Sequence, residues 1–405
     1  MCSFRQDTQL KGFDKTPQIK GDDVAFTMRD EWKEEPVSTT GAEYVEPSAT
    51  ELIKPGQRVS HLFPRAVMEE FVLQRVTERI WWVTRQFYCS LFYVGERGVL
   101  LFDPFLGGAD ATLAAIASVT SLPVTAVVYS HYHADHVGGS RRLFELLAAA
   151  PPRVIASEHT AVWMSRFRSD LPRPADVLDW PSGTARFEDV TVRLAGLPCP
   201  CHAPDHAMFL LEEERVGHTA DLVNIDQLPF GGFGGQEPLV LLAPNLEFVR
   251  SLEFDWFCGG HGNIGEKSDI DFYLNYMGEV AALVDEYVPR PTEAPDLSLT
   301  DYLAAGLDPE TKSRLLSELN NHFGLYLYGS QIVAGLKPSW DGGDPFMTGH
   351  IAEWAAARQR AADQAVPKII ERLRPKYGRM YNFDDAQPTN VRLMAMAIQP
   401  TMSNR

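Results

Sequence analysis

The stretch SHYHADHVGG, residues 130–139, carries three histidines and one aspartate within six positions, at the end of an apolar run, VTAVVYS. Side chains two positions apart in an extended segment point the same way, so His131 and His133 can hold one metal ion. Asp135 and His136 follow where the chain turns, and they offer a carboxylate oxygen and an imidazole to a second ion. With 11 histidines in 405 residues, this spacing indicates a metal site rather than a histidine-rich surface loop.

Predicted strands and helices alternate around this histidine loop. Before it, the runs RIWWVT, FYCSLFYV and GVLLFD are rich in β-branched and aromatic residues, which predicts strands. An Ala-rich helix with Asp110 as its N-cap is expected next, and it leads to a buried strand at 124–130. A helix at about 139–149 and a strand at 154–157 continue the alternation, which is typical of a mixed α/β core.

The two ends of the chain differ from this central part. Residues 1–68 are polar with scattered prolines, which predicts an N-terminal arm lying over a domain. Residues 69–290 form the predicted metal-binding domain, whose last helix is expected to begin with a capping box of Ser268 and Asp271. Residues 291–405 are predicted to be helical, as a cap or accessory layer or as the contact surface of a homo-oligomer.

The composition excludes several classes of protein. The chain has 37 Lys and Arg against 54 Asp and Glu, a net charge of −17, which would repel phosphate backbones and anionic lipids. We therefore expect a small-molecule substrate and no nucleic-acid or membrane partner. Five cysteines, an odd number, do not indicate a disulfide framework. No signal peptide or membrane span is visible in the sequence, so we expect a cytoplasmic protein.

The pattern His131-x-His133-x-Asp135-His136 after an apolar strand resembles the signature of the metallo-β-lactamase superfamily. The resemblance implies an α/β fold, a four-layer αββα sandwich, here with an N-terminal arm and a C-terminal helical extension. It also implies further metal ligands at the ends of later strands. Matching turns occur in the family's order at PCHAPDH (200–206), GHTAD (217–221) and GGHG (259–262).

By this resemblance, seven side chains would hold two divalent metal ions. The first ion would be bound by His131, His133 and His202, the second by Asp135, His136 and His261, with Asp221 bridging both. Asp135 and Asp221 are the expected catalytic carboxylates. Outside the ligand set, the supporting residues would be Asp103, His206 and His218, and His206 is the alternative to His202 as a ligand. Zinc is expected, and manganese and iron are alternatives because histidine and carboxylate sites accept all three.

The resemblance implies hydrolysis by a hydroxide that bridges two metal ions, which lower its pKa towards neutrality. It disfavours a β-lactamase, because those enzymes usually carry Cys or Ser at the position of Asp221. We expect a small apolar or aromatic ester, lactone or amide as substrate. Its pocket would include Phe230, Phe233, Trp340 and Trp354, although core packing is the alternative for these aromatics. Phosphodiesterase, thioesterase and alkylsulfatase activities are alternatives within the superfamily, and a non-haem iron oxidoreductase is the alternative from another class.

Overall fold

Two β-sheets face each other in the computed structural model, which describes residues 34–167, 169–289 and 345–398. Alternate side chains of each strand enter the core between the sheets. In the strand Tyr88–Val94, Leu91 and Tyr93 lie in this core, whereas Phe92 points to the opposite face of its sheet. The strand Ala207–Leu211 of the other sheet behaves in the same way, with Phe209 in the shared core.

The first sheet has seven strands in sequence order. They are β3 (Val72–Arg75), β4 (Ile80–Arg85), β5 (Tyr88–Val94), β6 (Val99–Phe102), β7 (Val124–Val128), β8 (Arg153–Ser157) and β9 (Asp176–Leu178). Pairing is antiparallel from β3 to β6 and parallel from β6 to β9. Parallel neighbours need crossover connections, and these contain the helices α2 (Ala109–Val119), α4 (Ser140–Leu146) and α5 (Glu158–Arg166).

The second sheet has six strands, also in sequence order. They are β10 (Thr184–Phe187), β11 (Val190–Gly196), β12 (Ala207–Leu211), β13 (Val216–His218), β14 (Trp256–Cys258) and β15 (Ile264–Gly265). All neighbours are antiparallel except β13 and β14. The long connection between these two contains α6 (Leu242–Ser251).

Helices cover the outer faces of both sheets. The first sheet packs against the crossover helices through Ile116, Leu143 and Met164. The second sheet is covered by α6 together with α7 (Lys267–Tyr287), α8 (Pro345–Tyr377) and α9 (Phe383–Ile398). The predicted α/β four-layer sandwich with a C-terminal helical extension is therefore confirmed. Within the described ranges, no helix combines the length and the apolarity needed to cross a bilayer.

Shorter elements flank this sandwich. Near the N-terminal end of the described chain, β1 (Glu43–Val45) and β2 (Gln57–Val59) form a separate parallel pair, and α1 (Leu62–Met68) follows them. The four-residue helix α3 (Ala134–Val137) lies inside the histidine loop.

Two predicted helix starts were wrong. The N-cap of α2 is Gly108, and Asp110 lies in the first turn, where it pairs with Arg142. The capping box of α7 is formed by Glu266 and Asp269, two residues before the predicted pair of Ser268 and Asp271. The earlier start places Asp269 next to the buried guanidinium of Arg58 at 2.6 Å. A distant partner of this kind is absent from any local sequence window.

Candidate metal centre

The candidate metal centre collects side chains from the ends of strands in both sheets. The histidine loop follows β7 of the first sheet, and its His131 and His136 are fully buried. Asp221 and His261 follow β13 and β14 of the second sheet. His202 lies in the turn between β11 and β12. Strand ends are rigid attachment points, so they can aim side chains at one place.

The first group of candidate ligands consists of His131, His133, His202 and Asp221. Each offers one ligand atom, and these atoms all lie within 4.8 Å of one another. The Oδ2 atom of Asp221 lies 3.0 Å from Nε2 of His202 and 3.5 Å from Nε2 of His131. The structure therefore brings together the four residues that were predicted to surround the first ion.

The second group consists of Asp135, His136, Asp221 and His261, whose ligand atoms again lie within 4.8 Å of one another. The Oδ2 atom of Asp221 is 3.0 Å from Nε2 of His136, and its Oδ1 atom is 2.9 Å from Nε2 of His261. Nε2 of His136 is also 3.5 Å from Oδ2 of Asp135. Asp221 is thus the one residue that belongs to both groups.

The ring nitrogens of these histidines suit a metal ion. Nδ1 of His202 lies 3.0 Å from the carbonyl oxygen of Gly234, and Nδ1 of His261 lies 2.5 Å from that of Phe87. A carbonyl only accepts, so Nδ1 carries the proton in both rings and Nε2 keeps its lone pair for an ion. Among the described residues, Nε2 of His131 has no hydrogen-bond partner although it is buried, and Nε2 of His136 faces only the carboxylates of Asp221 and Asp135. Such orphaned nitrogens are costly unless something binds them, so the residues fit divalent ions.

The turn that carries His261 depends on its two flanking glycines. Gly260 and Gly262 have φ of 79° and 81°, in the left-handed region that glycine adopts without strain. A Cβ atom on Gly262 would lie 2.1 Å from the carbonyl oxygen of Ile225. The GGHG motif of the sequence therefore reflects a tight turn against the segment that follows Asp221.

Asp103 and His218 hold the start of the histidine loop in place. The Asp103 carboxylate accepts from the backbone N–H of Ser130 at 2.8 Å and from Nε2 of His218 at 2.7 Å. Burial by itself lowers the pKa of His218, but the charge and hydrogen bond of Asp103, together with the neighbouring Cys258, outweigh it and raise the pKa to about 9. The two residues thus form a buried ion pair that fixes the residue just before His131.

His206, the alternative ligand, lies outside both groups. Its Nε2 donates to the carbonyl oxygen of Ala220 at 2.6 Å, next to Asp221. Burial, reinforced by the neighbouring His202, lowers the pKa of His206 to about 3, so the ring is neutral. Its supporting role stays a prediction, which the contact with Ala220 favours.

The predicted substrate-pocket residues have different positions. The ring of Phe230 lies 5.3 Å from that of His261. Phe233 needs a correction: its side chain is buried in the core against Tyr276, so it has no surface to offer a substrate. Trp340 lies outside the described residues. Trp354 lies on α8, in a part of that helix for which only the backbone is described.

Sequence reasoning missed several aromatic residues beside the candidate ligands. The ring of Tyr88 lies 5.8 Å from that of His136 and 5.1 Å from that of His261. The ring of Tyr132 lies 4.7 Å from that of His133 and stacks on the exposed Phe167 at 5.1 Å. The position of Tyr132 between two ligand histidines was the available signal. For Tyr88 no local signal existed, because its strand is distant in sequence from the histidine loop.

Comparisons with known proteins find similarities over the central part of the chain. A model of the family described as the metallo-beta-lactamase superfamily matches residues 84–261, from within β4 to the last candidate ligand. An atrochrysone carboxyl ACP thioesterase of Aspergillus fumigatus is 29% identical over 171 residues, 42% of this chain and 48% of that protein. Thioesterase pkgB of Emericella nidulans is 27% identical over 170 residues, 42% of this chain and 41% of that protein.

Two further similarities are to an enzyme subunit and to a solved structure. The alpha subunit of 2,4-dinitroanisole O-demethylase from a Nocardioides species is 26% identical over 195 residues, 46% of this chain and 56% of that protein. The chain thus spans about half the length of these curated relatives. A solved metallo-beta-lactamase from Pontibacter korlensis has a TM-score of 0.44 and 18% identity, covering 51% of this chain and 97% of its own.

Proposed function

We propose, from the premise that this chain belongs to the metallo-β-lactamase superfamily through residues 84–261, that it is a metal-dependent hydrolase of esters and thioesters with an apolar or aromatic acyl group. The observation that carries the proposal is the position of Asp221. Its two oxygens lie between the two candidate ligand groups, 2.9–3.0 Å from His136, His202 and His261. A carboxylate shared in this way suits two ions held side by side.

Two divalent ions bound to these groups would supply Lewis acidity for the substrate carbonyl and a water of lowered pKa. The chain's own residues would orient the site. The carbonyl groups of Gly234 and Phe87 fix which nitrogen of His202 and His261 faces the centre. Asp103 holds the start of the histidine loop through the backbone of Ser130. Such outer contacts keep ligands in place and tune them.

Aromatic side chains around the candidate ligands support an apolar or aromatic acyl group. Tyr88 and Phe230 lie on the side of His261, and Tyr132 lies on the side of His133. Rings in these positions would exclude water and contact the acyl part of a substrate, as is common in small-molecule sites. The net charge of −17 disfavours a polyanionic substrate.

The names of the relatives support two kinds of reaction. Two of the reported relatives are named thioesterases, which favours acyl transfer to water. Another is named as a subunit of an O-demethylase of 2,4-dinitroanisole, which makes cleavage of an activated aryl methyl ether the second candidate. Both reactions need a polarised electrophile and an activated water, so the same residues would serve either one.

The test is hydrolysis by the full-length protein after reconstitution with zinc or manganese. The panel comprises an aryl thioester, an aryl ester, a lactone, an aromatic amide, 2,4-dinitroanisole, a bis-aryl phosphodiester and an alkyl sulfate. We expect the thioester or ester to be preferred, with activity lost on chelation and restored by metal. A preference for the phosphodiester or the sulfate, or no hydrolysis by protein that holds two ions, would refute the proposal. A preference for 2,4-dinitroanisole would select the second candidate.

Matched histidine variants provide the control. His202→Ala should lose activity and metal, since Nε2 of His202 faces Asp221. His159→Ala should retain both, because His159 lies on α5 and stacks on Trp180 at 4.2 Å, outside the candidate ligand groups. Equal losses in the two variants would indicate general damage to the fold rather than loss of a ligand.

A further inference from the structure

Residues 35–60, which we call the strap, lie against the two loops that carry Asp221 and His261. The strap contains β1 and β2. The loop after β13 continues from Asp221 to Gln227, and the turn after β14 contains His261 and Asn263. The backbone N–H of Ile225 donates to the carbonyl of His261 at 3.3 Å, and that of Asn263 donates to the carbonyl of Ile225 at 3.2 Å. The two loops are therefore joined to each other.

The strap holds the first of these loops through the carboxylate of Asp226. Oδ1 of Asp226 accepts from the hydroxyl of Ser38 at 2.8 Å and from the backbone N–H of Thr39 at 3.2 Å. Oδ2 accepts from the hydroxyl of Tyr44 at 2.8 Å. The carboxylate is buried, and all three donors belong to the strap. A buried carboxylate is costly without such partners, so these contacts fix the position of this loop.

The strap holds the second loop through the side-chain amide of Asn263. Oδ1 of Asn263 accepts from the backbone N–H of Val59 at 3.1 Å, and Nδ2 donates to the carbonyl of Val59 at 2.9 Å. The amide thereby makes the two hydrogen bonds that a neighbouring strand would otherwise make to Val59, at the end of β2. Asn263 is buried and lies two residues after His261. Any shift of Val59 would therefore be passed to the turn that carries His261.

Arg58 anchors the strap next to these contacts. Its fully buried guanidinium lies 2.6 Å from Oδ2 of Asp269 and 3.0 Å from Oε2 of Glu266, at the start of α7. Breaking a buried ion pair leaves an uncompensated charge and is strongly destabilising. The end of the strap that touches the two loops is thus held firmly in one place.

We propose that the strap positions Asp221 and His261 for metal binding, with Asp226 and Asn263 as the positioning residues through which it acts. The inference rests on the metal site of the proposed function. Asp221 and His261 come from the second sheet, whereas His131 and His136 come from the first. Four ligand atoms within 4.8 Å of one another require the loops of both sheets to be fixed. The second group, which includes both Asp221 and His261, depends most on the strap.

The test compares metal binding with stability in the full-length protein. Asn263→Ala removes both contacts to Val59, and the double variant Ser38→Ala/Tyr44→Phe removes two donors to Asp226 without altering either loop. For each, the stoichiometry and affinity for zinc are measured by chelator competition, the visible spectrum of the cobalt-loaded protein is recorded, and the unfolding free energy of the metal-free protein is determined. We expect affinity for one of the two ions to fall about 10-fold or more, as for loss of other outer contacts, with a changed cobalt spectrum.

Gln74→Ala is the matched control. Its buried side-chain amide accepts from the backbone N–H of Ser48 at 3.0 Å and donates to the carbonyl of Glu51 at 2.9 Å, so it holds the strap to β3 rather than to either of the two loops. We expect it to lose stability while keeping zinc affinity and the cobalt spectrum. The proposal is overturned if the double variant binds zinc like the wild type, or if Gln74→Ala loses as much affinity. Wild-type protein that binds two ions but hydrolyses nothing would refute the proposed function and leave this inference standing.

Discussion

The buried ion pair of Asp103 and His218 predicts a specific dependence of stability on pH. Asp103→Asn is the perturbation, because asparagine has nearly the same shape and keeps an oxygen to accept from the backbone of Ser130. It removes the charge that holds His218 protonated. In the wild type the pKa of His218 rises from its ordinary value near 6.5 to about 9, since Asp103, with a further contribution from Cys258, outweighs the effect of burial.

The size and sign of the effect follow from linkage between protonation and folding. One pH unit of pKa difference is worth about 1.4 kcal/mol, so the rise to about 9 corresponds to about 3 kcal/mol. Because the folded-state pKa is raised, this stability is fully present below pH 6.5 and is lost as pH rises through 9. The variant should therefore be less stable than the wild type by about 3 kcal/mol at pH 6, and the difference should largely vanish by pH 10.

Urea unfolding of metal-free protein, followed by tryptophan fluorescence at several pH values, measures this difference. Asp110→Asn is the matched control, because Asp110 pairs with Arg142 on the surface, where solvent screens the two charges. Its effect should be small throughout this pH range. A difference between wild type and Asp103→Asn that stays constant or grows from pH 6 to 10 would refute the reasoning.

Two further predictions concern the metal centre itself. Elemental analysis of reconstituted wild-type protein should find two transition-metal ions per chain, and one ion at saturation would contradict the two-ion assignment. Asp221→Ala should lose this stoichiometry and turnover while keeping its circular dichroism spectrum. His206→Ala should keep both ions and much of the activity, because Nε2 of His206 donates a hydrogen bond to the carbonyl of Ala220. If chelator competition shows that His206→Ala loses an ion while His202→Ala keeps two, the assignment at this turn is wrong.

The local pattern of the sequence predicted the mixed α/β core and the histidine loop, because both depend on short-range order. The four-layer sandwich was implied by the resemblance to a family. Strand alternation and the spacing from His131 to His136 are visible within about ten residues. The start of α7 was predicted two residues too late, because the sequence there offers two possible capping boxes, Glu266 with Asp269 and Ser268 with Asp271. Asp269 is selected by Arg58, which is 211 residues away in sequence. The local preference for serine at an N-cap favours Ser268 over Glu266, so the observed start runs against the local signal.

Phe233 and the strap illustrate the same limit. Phe233 was expected near a substrate, but the backbone N–H of this residue donates to the side chain of Asn390 on α9, 157 residues later. The contacts of the strap with Asp226 and Asn263 span 182 to 204 residues. A single sequence shows which residues are polar or aromatic, but a partner at such a distance is defined only by the assembled fold.

The backbone at three aspartates limits what each position can become. Asp103, Asp221 and Asp226 have φ of 31°, 66° and 58°, which disfavour most side chains and are tolerated best by glycine, asparagine and aspartate. Each also presents both carboxylate oxygens to partners. Glutamate would keep the charge and strain the backbone, whereas asparagine would suit the backbone and lose one acceptor. Aspartate alone meets both demands, so any substitution at these positions would lose either backbone fit or a contact, even at Asp226, which is not a candidate metal ligand.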